Sequence, residues 1–188
     1  MEEMAFASPH PTVEGGTVLL CGSAATLFDD LAGARALRSD ADVIIVNAVA
    51  EIMEAENLFS LHPEKLGMWR ERHTIKFGST PTTHSGRPRF DGCRLMSTVD
   101  HWWPEASSRG SSGWSGAKLA QLMGYDEVIL CGVPLDPIHY AKRGPAKNFK
   151  SKKMLNYYRA GVEADVAWHA KVRSMSGWTR ERLGEPDG

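Results

Sequence analysis

The amino-acid sequence predicts a single α/β domain of Rossmann-like type, a mostly parallel sheet with helices on both faces. Short runs that are wholly or almost wholly apolar recur at 17–21, 42–46, 57–61 and 127–131. Each is too short for a buried helix and reads as a strand covered on both faces. Segments with helical spacing alternate with them, and each run ends on glycine, asparagine or a His-Pro pair. Alternating strands and helices of this kind build parallel sheets.

Residues 1–16, with Pro9, Pro11, Gly15 and Gly16, read as a flexible leader, and 17–188 as one nucleotide-binding α/β domain. After the strand at 17–21, residues 26–37 have helical spacing through Leu27, Phe28, Leu31 and Leu37. The second strand, 42–46, stops at Asn47, and 48–56 reads as helical. The third, 57–61, stops at His62-Pro63, and 64–73 makes a short helix. Residues 74–92 carry Gly78, Pro81, Gly86, Pro88 and Gly92 and read as one long loop, followed by a short strand at 93–97. An amphipathic helix over 114–123 closes on Gly124 as its C′ residue. The strand 127–131 follows, then a basic loop at 137–150 and a long helix over 153–172, with His169 on its inner side as a core or cap histidine. Trp102-Trp103 reads as a buried plug or an acceptor-sugar platform, and Tyr157, Tyr158, Trp168 and Trp178 read as packing residues.

The chain's 188 residues suffice for one core and are few for two. Apolar residues make up 42% and charged residues 24%, an ordinary globular balance. A formal net charge of -1 supplies no global field for a polyanion, so nucleic acid is not indicated as a partner. Cys21, Cys93 and Cys131 are odd in number and form no CxxC spacing, which points away from a disulfide framework or a structural zinc. The histidines show neither HExxH nor HxH spacing, so no metal is expected. No apolar run nears the roughly 20 residues of a membrane span, and the first 16 residues lack a signal-peptide core. A reducing cytoplasm is the expected compartment; an oligomer stays possible.

Ligands of open parallel sheets bind outside the carboxyl ends of the strands. Gly22-Ser23, Asn47 and His62 follow three of the strands directly. Gly22 serves either a tight turn or the close approach of a ligand. Neither GxGxxG nor a Walker A loop is present. Ser111-Ser112-Gly113 opens a helix: one serine caps it, and the other hydroxyl with the free N–H groups suits a phosphate or ribose. His139-Tyr140 is either a general base beside a phosphate-contacting hydroxyl or a solvated loop pair. The basic stretch from Lys142 to Lys153 is a solvated face or neutralises a diphosphate or acidic acceptor.

The segment Ser111-Ser-Gly-Trp-Ser-Gly-Ala-Lys-Leu-Ala-Gln-Leu-Met-Gly-Tyr-Asp-Glu-Val-Ile-Leu-Cys-Gly132 resembles the Ser-Ser-Gly, helix, Leu-Gly-Tyr, strand, Gly segment of bacterial lipooligosaccharide sialyltransferases and of related sialyltransferase-like and MptE-like domains. Val18-Leu-Leu-Cys-Gly-Ser-Ala-Ala-Thr-Leu27 is similar to that family's strand and Gly-Asn-Gly-Pro-Ser-Leu motif. Asn47 falls on a nucleotide-contacting asparagine, and His62-Pro63 on an Asn-Pro pair. The resemblance spans most of 17–136, and short proteins similar to this family also occur in bacteriophage genomes. It implies a nucleotide-sugar-dependent glycosyltransferase with a CMP-linked donor as substrate and no resident cofactor. Gly22, Ser23, Asn47, His62, Ser111, Ser112 and Gly113 would surround the cytidine nucleotide, with Tyr140 added from the loop reading. Ser23 replaces the family's asparagine, Ala24 its next glycine, and Pro134 its aspartate, with Asp136 nearby. The family's catalytic histidine has no secure match; His139 is the candidate base. Two alternatives stand beside this reading: a non-catalytic nucleotide-binding protein, and an MptE-like diphosphokinase, for which an acidic metal-ligand cluster is missing from the sequence.

Overall fold

A computed structural model describes residues 10–87, 98–109, 111–137 and 152–188. The strands are β1 (Thr17–Cys21), β2 (Asp42–Val46), β3 (Asn57–Ser60), β4 (Thr82–Ser85), β5 (His101–Trp102), β6 (Glu127–Cys131) and β7 (Val172–Ser174). The helices are α1 (Leu27–Leu37), α2 (Pro63–Phe77), α3 (Ser112–Met123), α4 (Lys152–Ala164) and α5 (Gly177–Leu183). One sheet holds all seven strands in the order β5-β4-β3-β2-β1-β6-β7, and every pairing is parallel. The Rossmann-like reading is therefore correct, with all carboxyl ends on one edge.

The pleat explains why the strand sequences are apolar throughout. Val18, Leu20, Ile44, Phe59, Val128 and Leu130 face α3, where Tyr158 of α4 and Leu183 of α5 join the same core. Leu19, Cys21, Ile45, Leu58, Ile129 and Cys131 face the other way, against Leu27 of α1 and Leu66 and Trp69 of α2. Val13 donates its N–H to Met123 O at 2.7 Å, pinning this part of the leader to the end of α3. Among the described residues, no helix is long and apolar enough to cross a membrane.

Four local readings change. Residues 47–51 form a 3-10 turn in place of an α-helix over 48–56. The long helix read over 153–172 stops at Ala164, where Asp165 turns its carboxylate to Trp114 Nε1 and Ser108 Oγ, both at 2.8 Å, and β7 follows. Tyr157 is 53% exposed and does not pack in the core, whereas Tyr158 does. The segment read as a loop over 74–92 contains β4, whose sequence Thr-Thr-His-Ser shows no apolar signal.

β4 is buried all the same, because its polar groups are satisfied. Thr83 N–H donates to Asp100 Oδ2 at 2.8 Å. His84 is fully buried. Its Nδ1 accepts from Trp103 Nε1 at 3.2 Å, so its Nε2 carries the proton and donates to Asn57 Oδ1 at 2.9 Å. Trp103 itself is the buried plug, 5% exposed. Burial, followed by the neighbouring His101, lowers the His84 pKa to about 3. The unfolded chain binds a proton near pH 6.5 that the folded imidazole refuses. Stability should accordingly fall as the pH drops from about 6.5 towards 3, with a slope approaching about 1.4 kcal/mol per pH unit from this residue. Urea unfolding of wild type and His84→Gln across that range checks it: the variant should start less stable and lose less stability on acidification.

Candidate functional site

The chain winds outward from β1 to β5 on one side and takes up β6 and β7 on the other, which makes β1/β6 the switch point of the sheet. In this protein that crevice is filled by backbone. Gly22 N donates to Cys131 O at 2.8 Å, and Ala24 N to Gly132 O at 3.1 Å. A Cβ on Gly22 would lie 2.5 Å from Val133 Cγ2 and 2.6 Å from Gly132 O, and one on Gly113 would lie 2.6 Å from Val133 Cγ1. Gly132 has φ 65, a left-handed conformation that favours glycine. Asp30, 6% exposed, locks the arrangement by accepting from Gly132 N at 2.8 Å, Thr26 Oγ1 at 2.9 Å and Ser176 Oγ at 2.6 Å. The nearest neighbour that Gly22 must admit is thus the loop after β6. Ser23, half-buried, sits beside it.

Over β2, β3 and β4 the edge carries a run of polar groups. Asn47 follows β2 with φ 56, a conformation asparagine tolerates better than most residues. Ser60 Oγ donates to Asn47 Oδ1 at 2.6 Å and accepts from His62 N at 2.8 Å. This engages the amide's acceptor, and no partner of its NH2 group is seen among the described residues. His62 caps α2 by position without a side-chain cap bond, and its Nδ1 lies 3.2 Å from Glu64 Oε1. Arg87 Nε donates to Leu61 O at 2.9 Å, and Arg87 N to Ser85 Oγ at 3.3 Å.

The third part is the start of α3. Ser111 is the cap, its hydroxyl accepting from Trp114 N at 3.3 Å. Ser112 is 8% exposed and its hydroxyl meets no partner among the described residues. The helix start points its free N–H groups and positive dipole end at the same edge. Behind it, Lys118 Nζ donates to Ser107 O at 3.0 Å and lies 3.6 Å from Asp165 Oδ2, which holds the approach to the cap.

The structure therefore brings Gly22, Ser23, Asn47, His62, Ser111, Ser112 and Gly113 to one edge. His139 and Tyr140, and most of the basic stretch, lie outside the described residues. Sequence reasoning missed Ser60, Ser85, Arg87 and Asp30. Ser60 lies inside the strand read over 57–61, and Arg87 is hidden in the segment read as a loop. His169 lies beyond α4, the helix expected to carry it, and is half-buried, its Nε2 2.8 Å from Val162 O near the end of that helix and its ring edge-on to Trp114. Among the described residues, no group of three His, Cys, Asp or Glu is placed to hold a metal. The opposite edge of the sheet carries a cavity of about 410 Å³ whose lining includes Asp42, Glu54, Glu56 and Arg35.

Two expectations separate structure from site. Gly132→Ala should destabilise the fold by at least about 2 kcal/mol through strain and the clash with Gly22, read by urea denaturation. Ser111→Ala should cost about 1 kcal/mol of stability, and Ser112→Ala much less, because only Ser111 caps α3. In comparisons with known proteins, no family model matches the chain and no curated protein matches it significantly.

Proposed function

We propose that the carboxyl edge binds a nucleotide and that the protein is a nucleotide-sugar-dependent glycosyltransferase of the sialyltransferase-like class. The observation that carries this reading is the pairing of two donor groups on one edge: the amide NH2 of Asn47, whose oxygen is held by Ser60, and the Ser112 hydroxyl, without a partner among the described residues, with the N–H groups of α3. The resemblance in sequence supplies the CMP-linked donor. Asn47 would hold the nucleoside, and Ser112 with the helix start its phosphate.

In the transfer step a base takes the proton of an acceptor hydroxyl. The acceptor oxygen then attacks the anomeric carbon, whose bond to the phosphate oxygen breaks. CMP leaves with its new charge against the N–H groups of α3. His139 is the base proposed from the sequence. His62, oriented by Glu64 on the edge itself, is the second candidate.

Calorimetric titration with CMP, UMP, GDP and ATP tests binding; CMP is expected to bind most tightly. Ser112→Ala should weaken it by roughly 1–2 kcal/mol. His139→Ala should leave CMP affinity unchanged and cut turnover of a CMP-sugar by about 10²-fold or more if His139 is the base; His62→Ala should cut turnover by that factor if His62 is. Binding without turnover in the wild type would leave a nucleotide-binding protein, and tighter binding of magnesium-ATP would favour the diphosphokinase alternative.

A further inference from the structure

We infer that Arg87 is an anion-holding residue of this same site, and that the ligand lies over the ends of β2, β3 and β4 instead of entering the crevice between β1 and β6. The inference rests on the nucleotide-binding reading above. Its first support is exclusion. The crevice at the switch point is occupied by Gly22, Gly132 and Val133, packed so closely that a single added Cβ on Gly22 would collide. A ligand held at the start of α3 has to extend the other way.

The second support is the line of polar groups met in that direction. Asn47 follows β2 and receives the Ser60 hydroxyl; Ser60 ends β3 and receives His62 N–H; the next carbonyl, Leu61 O, receives Nε of Arg87, two residues past β4. Three neighbouring strand ends are thereby joined by consecutive hydrogen bonds. From β2 to β4 this line covers two strand spacings, about 10 Å.

The third support is how Arg87 is held. A free surface arginine samples many rotamers, whereas this one is anchored at Nε and at its backbone N–H. Gly86 lies against Leu61 and Phe59, so a Cβ there would come within 3.0 Å of both, and the chain is kept close to the end of β3. The anchored Nε leaves both terminal NH2 groups, the planar fork that matches phosphate or carboxylate. No carboxylate partner of theirs is seen among the described residues.

The test is calorimetric titration of cytidine, CMP and a CMP conjugate bearing a sugar carboxylate into wild type, Arg87→Ala, Arg87→Lys and the control Arg72→Ala, whose arginine pairs with Glu51. If Arg87 holds the phosphate, Arg87→Ala weakens CMP about tenfold or more, leaves cytidine unchanged, and Arg87→Lys recovers part of the loss. If it holds a carboxylate, CMP is unaffected and only the conjugate weakens about tenfold. Should Arg87→Ala fail to fold, Arg87→Lys is read alone, with a smaller loss expected on the same ligands. Unchanged affinity for CMP and the conjugate, or an equal loss on cytidine, overturns the role of Arg87 while leaving the nucleotide site standing. A wild type that binds none of the three ligands overturns the site and this inference with it.

Discussion

The apposition of Gly22 against Gly132 is the constraint on which the rest of the molecule depends. β1 and β6 are in register from Thr17↔Glu127 to Cys21↔Cys131, and the hydrogen bonds continue past both strand ends because neither glycine has a side chain to part them. Burying Asp30 beneath this junction costs desolvation, and three donors offset it. Those donors come from the approach to α1, the loop after β6 and the loop before α5. One carboxylate therefore ties both halves of the winding, and the β1/β6 end of the carboxyl edge is closed by backbone.

The long apolar strands were legible because parallel, doubly covered strands have no polar face to interrupt them. The same rule concealed β4. Thr83, His84 and Ser85 are fully buried, yet their burial is made tolerable by Asp100, Asn57 and Trp103, partners 15 or more residues away that no local pattern announces. α4 was overextended for a similar reason: Val166 and His169 continue the spacing of the helix, but Asp165 is drawn off by Trp114 and Ser108.

Much of the site was legible as residues that follow strands: Gly22, Asn47 and His62, with Ser111–Gly113 at a helix start. What the sequence did not reveal is the division of labour among them. Which serine caps α3, and whether Gly22 faces a ligand or another strand, depends on contacts with Val133 and Trp114 in three dimensions. Arg87 escaped for the same reason as the strand that carries it.

The chain Trp103–His84–Asn57 has a consequence for the electrostatics of the whole edge. An imidazole that must accept at Nδ1 and donate at Nε2 has one permitted tautomer, and exchanging it would break two hydrogen bonds at once. His84 is thus a rigid polar strut that stays uncharged throughout the neutral range. A strand made of threonine, histidine and serine consequently adds no charge of its own to the sheet. The buried histidine, two strands from Asn47, therefore adds no titrating charge to the edge near neutral pH.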